Sequence, residues 1–192
     1  MRLFSLFAVT TLTASMALTG CNSTETKQAE SKPVASKAAE VTATSITLFE
    51  SHDEGRINIF YDLPTFKGYK SVGETSFRLT RIGAGPNGET VVFGLPKEDK
   101  KKGANTPAAM LWDGKTSYDN FYGEIYANNR IYVFDNKDDM DFVRKIGEPT
   151  FMFTDIGAGP NGETVVFVLN KQNKKKKPVD LIAKFKAMHA GS

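Results

Sequence analysis

The feature that most constrains this chain is a repeat. Residues 82–93 read IGAGPNGETVVF, and residues 156–167 read the same twelve residues in the same order. The offset, 74 residues from Ile82 to Ile156, carries outward without a gap. Arg56-Ile57 matches Arg130-Ile131, Phe60 matches Phe134, and Gly73-Glu74 matches Gly147-Glu148. Phe77 matches Phe151, and Lys100, Lys101 and Lys102 match Lys174, Lys175 and Lys176. Two copies are too few for a solenoid, which needs about three or more stacked units. The reading is a module duplicated over residues 45–115 and 118–190, the two copies sharing one core around a pseudo-twofold axis. A chain of 192 residues is long enough to bury such a core.

The pattern within each copy predicts the same order of elements. Residues 45–51 and 56–62 are rich in Ile, Leu, Phe and Tyr and flank Asp53-Glu54-Gly55, the signature of a β-hairpin. Residues 121–126 and 130–134 repeat it around Asn128-Asn129. A short helix is expected over 64–72 and again over 138–146, with Gly73 and Gly147 as stop signals. Strands over 75–82 and 89–95 follow, joined by Gly85-Pro86-Asn87-Gly88. Pro presets φ, Asn tolerates the next position and Gly accepts positive φ, which predicts a type I turn with a bulge. Gly159-Pro160-Asn161-Gly162 should form the same turn. Each copy closes with a Lys-rich loop and a helix, over 107–113 and 178–188. In the second of these, Leu181, Ile182, Phe185 and Met188 share a face, and Lys184 and Lys186 favour the negative helix end. The expected unit is ββαββα, twice: an α+β fold of mainly antiparallel sheets with short helices.

Ahead of the repeats, Met1-Arg2 leads into a mostly apolar run over 3–18 that ends in Leu18-Thr19-Gly20-Cys21. This reads as a secretory signal peptide over 1–20. The run is too short and too rich in Thr and Ser for a spanning helix, which needs about 20 predominantly apolar residues. Leu18-Thr19-Gly20-Cys21 resembles the lipobox of bacterial lipoproteins. The resemblance covers the first 21 residues. It implies cleavage before Cys21 after diacylglyceryl transfer to its thiol, so that Cys21 heads the mature chain and its acyl chains hold the protein at a membrane. Each buried methylene contributes about 0.8 kcal/mol to such anchoring. By the same resemblance, Asn22 rather than Asp after the Cys implies the outer membrane. Residues 22–44 are Ser-, Thr-, Lys-, Glu- and Ala-rich with no aromatics, and are expected to be a disordered tether. Such a segment spans roughly 25 to 30 Å root-mean-square.

One Cys excludes an internal disulfide, a zinc finger and a CxxC redox pair. A net charge of +3 lies far from the basic excess of a dedicated nucleic-acid binder, so no nucleic-acid partner is expected. The twin loops, Gly85, Pro86, Asn87 and Gly88 with Gly159, Pro160, Asn161 and Gly162, are candidate contact loops whose freed N–H groups could cradle an anion. They lack the Lys-Ser/Thr of a phosphate loop and precede a strand rather than a helix, so a plain hairpin turn is the simpler reading. Lys100, Lys101 and Lys102, and Lys174, Lys175, Lys176 and Lys177, are candidate contacts for an anionic envelope polymer or membrane surface. The competing reading is two solvated loops that discourage edge pairing. No aromatics interleave within these runs, as a single-stranded nucleic-acid platform would require.

Asp135, Asp138, Asp139 and Asp141 do not have calcium-loop spacing, because Lys137 stands at a ligand position and Met140 at the glycine position. Asp138 is instead expected to cap the short helix. His52 and His189 are expected to be exposed. Glu89 and Glu163 are candidates for a carboxylate pair, or more simply exposed first residues of strands, without the burial that shifts a catalytic pKa. Trp112, Phe77, Phe93, Phe151 and Phe167 read as core. The function expected is that of a non-enzymatic envelope lipoprotein, in the outer membrane, binding an envelope component or a protein partner and using no metal or cofactor. The alternatives are a lipoprotein inhibitor whose hairpins plug a hydrolase cleft, or an envelope hydrolase using Glu89 and Glu163 or the Asp cluster.

Overall fold

The structure, a computed structural model, describes residues 44–190. Cys21, the apolar run and the tether lie outside the described residues. The first hairpin joins β1 (Ser45–Asp53) to β2 (Arg56–Phe60), and β5 (Asn120–Ala127) joins β6 (Arg130–Phe134) in the same way. Both turns need positive φ at two positions, met by Glu54 (47°) and Gly55 (74°) in the first and by Asn128 (51°) and Asn129 (58°) in the second. Helix α1 (Leu63–Val72) begins where Asp62 accepts a hydrogen bond from the Thr65 N–H at 2.8 Å. It ends at Gly73, whose φ of 84° lets its N–H donate back to the Tyr69 carbonyl at 2.7 Å.

Helix α3 (Lys137–Ile146) is built alike, ending at Gly147 with φ 94°. Its cap corrects the expectation for Asp138. The cap is Asn136, whose Oδ1 accepts from the N–H groups of Asp138 (2.8 Å) and Asp139 (3.2 Å). The helix starts one residue early, and Asp138 and Asp139 fall in its first turn, where their charge favours the positive helix end. Strands β3 (Arg78–Arg81) and β4 (Thr90–Gly94) are shorter than expected, because residues 73–77 form bends after the helix. Two 3-10 turns, Lys97–Asp99 and Gly103–Asn105, lead to α2 (Pro107–Trp112). Strands β7 (Phe151–Asp155) and β8 (Thr164–Leu169) and helix α4 (Val179–His189) complete the chain.

The chain is α+β: one mixed eight-stranded sheet, ordered β3-β4-β2-β1-β5-β6-β8-β7, with four short α-helices. The expectation of mainly antiparallel sheets is met only in part, because the sheet is mixed. Four pairings are antiparallel, but β1 with β5, β2 with β4, and β6 with β8 are parallel. Hairpins joined in chain order would all be antiparallel. Helices α1 and α3 instead carry the chain across the sheet, so that β4 and β8 insert beside β2 and β6 and leave β3 and β7 at the two edges. Such crossovers are what parallel neighbours require.

Helices α2 and α3 cover one face of the sheet, over a core containing Leu48, Ile57, Phe93, Ile125, Phe134, Met140 and Val168. Helices α1 and α4 cover the other, over Phe49, Phe60, Phe66, Tyr126, Val133, Phe167 and Phe185. Phe66 of α1 is the keystone of this second core, stacked on Phe49 at 5.3 Å and packed against Phe60 and Tyr126 at 5.4 and 4.8 Å. The strand registers also sort the loops by end. Thr44, the β4–α2 loop and the β8–α4 loop lie at one end of the sheet, termed here the entry end. The β1–β2 and β5–β6 turns and both Gly-Pro-Asn-Gly loops lie at the other, the turn end. Among the described residues no helix is long and apolar enough to cross a membrane.

Candidate functional site

At the entry end, β4 and β8 each run out into a lysine-bearing loop. All seven lysines of the two runs are exposed. The first of each run rests on an equivalent phenylalanine: Lys100 Nζ lies 5.4 Å from the Phe77 ring, and Lys174 Nζ lies 4.3 Å from the Phe151 ring. Lys177 similarly covers Phe153 at 5.3 Å. Such contacts hold the stems while the charges stay in water. Lys102 pairs at 2.6 Å with Asp99, which also accepts a hydrogen bond from the Tyr61 hydroxyl at 2.6 Å. These two contacts hold the Asp99 carboxyl below its usual range. Lys101, Lys175 and Lys176 have no ion pair among the described residues. Phe77 precedes one edge strand and Phe151 begins the other, so the runs do not merge into one patch. Seven inter-strand spacings of about 4.8 Å put the two edges roughly 34 Å apart.

At the turn end, the two glycine loops are small closed structures. The Gly88 N–H donates to the Gly85 carbonyl at 3.1 Å, the Gly85 N–H donates to the Glu89 carbonyl at 2.9 Å, and Gly88 has φ 86°. That is the expected turn with a bulge. The Glu89 carboxylate then folds over it, accepting from the Asn87 N–H at 2.8 Å and from Asn87 Nδ2 at 3.0 Å. A Cβ at Gly85 would overlap that carboxylate. The second loop repeats each bond: Asn161 donates to Glu163 at 2.8 and 3.0 Å, and Gly159 is excluded from bearing a side chain in the same way. Partial burial pushes each glutamate up, but the asparagine N–H groups outweigh it and hold both carboxyls below the usual range. Glu89 and Glu163 therefore serve their own loops rather than forming a pair with each other. The twin motif reads physically as one unit, Gly, Asn, Gly and Glu each required by the same turn. Pro86, Asn87, Gly88, Pro160, Asn161 and Gly162 present its exposed surface, with Ile82 and Ile156 protruding at 89% and 85% exposure.

Between the ends lie two charged clusters that the sequence reading missed. Glu50 of β1 and Glu124 of β5 occupy equivalent positions in the repeat, and both are fully buried. On the α3 face, Arg144 donates to Glu50 from Nη2 at 2.6 Å and from Nε at 3.1 to 3.2 Å, contacts Asp141, and lies 4.8 Å from the Trp112 ring. His52 completes the cluster at 2.9 Å from Glu50. Burial alone would raise the Glu50 pKa; Arg144 and His52 instead lower it to about 2. On the α1 and α4 face, Glu124 accepts hydrogen bonds from the Tyr122 and Tyr126 hydroxyls and contacts His189 at 2.9 Å. Burial and the neighbouring Glu124 carboxylate push both tyrosines far above their ordinary range.

The expectation that His52 and His189 are exposed is thus corrected. His52 continues strand β1 on the same side as Glu50, two residues away, and His189 is still helical in α4, which lays it across Glu124. Phe93 and Phe167 are fully buried as expected, whereas Phe77, Phe151 and Trp112 are half-buried platforms for cations. The one legible hint to the clusters was Glu alternating with apolar residues in the inward register of β1 and β5, a polar residue where the strand pattern called for core. Around His52 and Arg144 there is a cleft of about 260 Å³, rimmed by Asp53, Arg56, Glu89 and Asn128. His52 and Arg144 are engaged with Glu50, while Asp53 and Glu89 accept hydrogen bonds from Ser51 and Asn87, which suits a structural seam. Asp139 accepts a hydrogen bond from Asn170 at 3.1 Å, while Asp141 serves Arg144 and Lys137. Among the described residues no three His, Cys, Asp or Glu side chains converge as metal ligands. No protein-family model, no curated protein and no solved structure matches the chain.

Proposed function

We propose that this is a non-enzymatic, lipid-anchored envelope lipoprotein of the outer membrane, built from two copies of one ββαββα unit, that binds an anionic envelope component through its entry end. The observation that carries this reading is that both lysine loops lie at the end of the sheet where the chain enters at Thr44. A chain held at Cys21 would enter its folded part among seven exposed lysines. Their charge favours phosphate- and carboxylate-bearing surfaces. The duplicated unit is supported by the mirrored strand order, β3-β4-β2-β1 then β5-β6-β8-β7, and by the placement of α1 and α3 on opposite faces. A pseudo-twofold axis along the strands relates these arrangements. It places the two lysine loops symmetrically about the entry end, as two contacts on one extended anionic polymer or surface.

Two measurements test the reading. Metabolic labelling with a palmitate analogue should mark the wild-type chain and fail to mark Cys21→Ala. Co-sedimentation with purified sacculi and with lipopolysaccharide should fall when all seven lysines are changed to Gln, and should weaken with added salt as screened ion pairing requires. Unchanged sedimentation would remove the lysine loops from the function. The inhibitor reading keeps one observation in its favour: each glycine loop is prefolded by its own hydrogen bonds and stands beside an exposed isoleucine.

A further inference from the structure

The two halves of the sheet differ at one place in a way that points to a ligand. A cavity of about 290 Å³ opens on the α1 face, over β2, β4 and the edge strand β3. Its lining includes Arg56, Asn58, Tyr69, Thr75, Arg78 and Thr80. The residues 74 positions later are Arg130, Tyr132, Val143, Pro149, Met152 and Thr154. Four positions that are apolar or aromatic in the second half thus carry an amide, a phenol, a hydroxyl and a guanidinium in the first. The registers are the same in the two halves, since Arg56 stands opposite Thr90 and Arg130 opposite Thr164.

The hydrogen bonding differs with them. In the second half Tyr132 is 1% exposed, and Arg130 donates to its hydroxyl at 3.4 Å and pairs with Glu148 at 2.9 Å. In the first half the equivalent glutamate, Glu74, lies 3.7 Å from Arg78 instead. Arg56 is left without an ion pair among the described residues. Asn58, only 7% exposed, spends its amide N–H groups on the Ser51 carbonyl (3.3 Å) and the Tyr69 hydroxyl (3.0 Å). Its carbonyl oxygen has no protein donor. Among the described residues only Asp62 Oδ2 is both sealed from solvent and unpartnered, so the Asn58 oxygen is an acceptor open to the cavity, free for water or a ligand. A position filled by Tyr132 in one copy thus carries, in the other, an Asn whose free acceptor faces open space.

We propose that this cavity binds a single acidic sugar residue or a closely similar carboxylate-bearing polyol. Two arginines at the rim suit one carboxylate, which guanidinium groups bind through paired, charge-assisted hydrogen bonds. The hydroxyls of Thr75, Thr80, Thr90 and Tyr69 with the Asn58 carbonyl match a ring bearing several hydroxyls, and Val92 and Ile82 offer an apolar strip to its face. The volume is at the low end of ligand sites, the scale of one monosaccharide. The site lies apart from the lysine loops and uses neither them nor the anchor, so it stands or falls separately from the function proposed above.

The test is titration calorimetry of the full-length protein in neutral detergent with D-glucuronate, D-glucose and inorganic phosphate. Saturable 1:1 binding of glucuronate is expected, with glucose and phosphate each at least about tenfold weaker. Asn58→Tyr should abolish binding by placing the second half's side chain in the cavity. Arg56→Gln with Arg78→Gln, both at exposed positions that spare the fold, should weaken it about tenfold or more. The proposal is overturned if glucuronate does not saturate, if the double Arg variant binds it as the wild type does, or if glucose or phosphate binds equally well.

Discussion

Replacing Arg144 by Met would leave Glu50 fully buried with only the His52 ring in direct contact with its carboxylate among the described residues. In the native protein the Glu50 pKa of about 2, against an ordinary value of 4.5, corresponds to about 3 kcal/mol favouring the charged form in the folded state. Removing one partner of a buried ion pair typically costs about 3–5 kcal/mol, because the remaining charge keeps its desolvation penalty. Arg144→Met is therefore expected to destabilise the protein by about 3–5 kcal/mol near pH 7. The pH dependence has a definite sign. Glu50 is depressed in the native fold, so its contribution is present above pH 4.5 and is lost as the pH falls toward 2. In the variant, burial dominates and raises the carboxyl, so the folded variant gains relative stability by taking up a proton as the pH falls. The gap between wild type and variant should thus narrow from pH 7 to pH 4. Urea unfolding followed by Trp112 fluorescence at both pH values measures it. The double variant Glu50→Gln, Arg144→Met should recover much of the loss, since a neutral amide has a far smaller burial penalty. A cost below about 1 kcal/mol at pH 7, typical of exposed pairs, or no recovery in the double variant, would refute the view that this pair is a buried strut.

Two further outcomes follow from local geometry. Gly85→Ala should displace the Glu89 carboxylate and loosen the loop, seen as faster amide exchange at Asn87, with a stability loss of about 1–2 kcal/mol; Gly159→Ala should do the same at Asn161. Tyr61, Tyr122 and Tyr126 are all held well above the ordinary phenol range, by burial first and then by Asp99 or Glu124. Their tyrosinate absorbance at 295 nm should be absent at pH 11 while the fold persists, and should appear together on unfolding.

What the sequence determined by itself is local. The turns around Glu54-Gly55 and Asn128-Asn129, the helix stops at Gly73 and Gly147 and the bulged Gly-Pro-Asn-Gly turns depend on the φ preferences of a few adjacent residues, and those preferences are printed in the chain. Core positions such as Phe93 and Phe167 were legible for the same reason, through strand periodicity. The tertiary structure decided which strands became neighbours. Parallel pairing of β1 with β5 joins residues as far apart as Ser45 and Asn120, and no short-range pattern encodes a crossover that brings β4 beside β2. It also decided what became of the ionisable groups. Arg144 and Glu50 are 94 residues apart and His189 and Glu124 are 65 apart, so their pairing exists only once α3 and α4 lie on their faces of the sheet. Read singly, a histidine near a turn or a terminus looks exposed. Beside a buried glutamate it has a partner, because a charge removed from water must find its counterpart within a few ångströms.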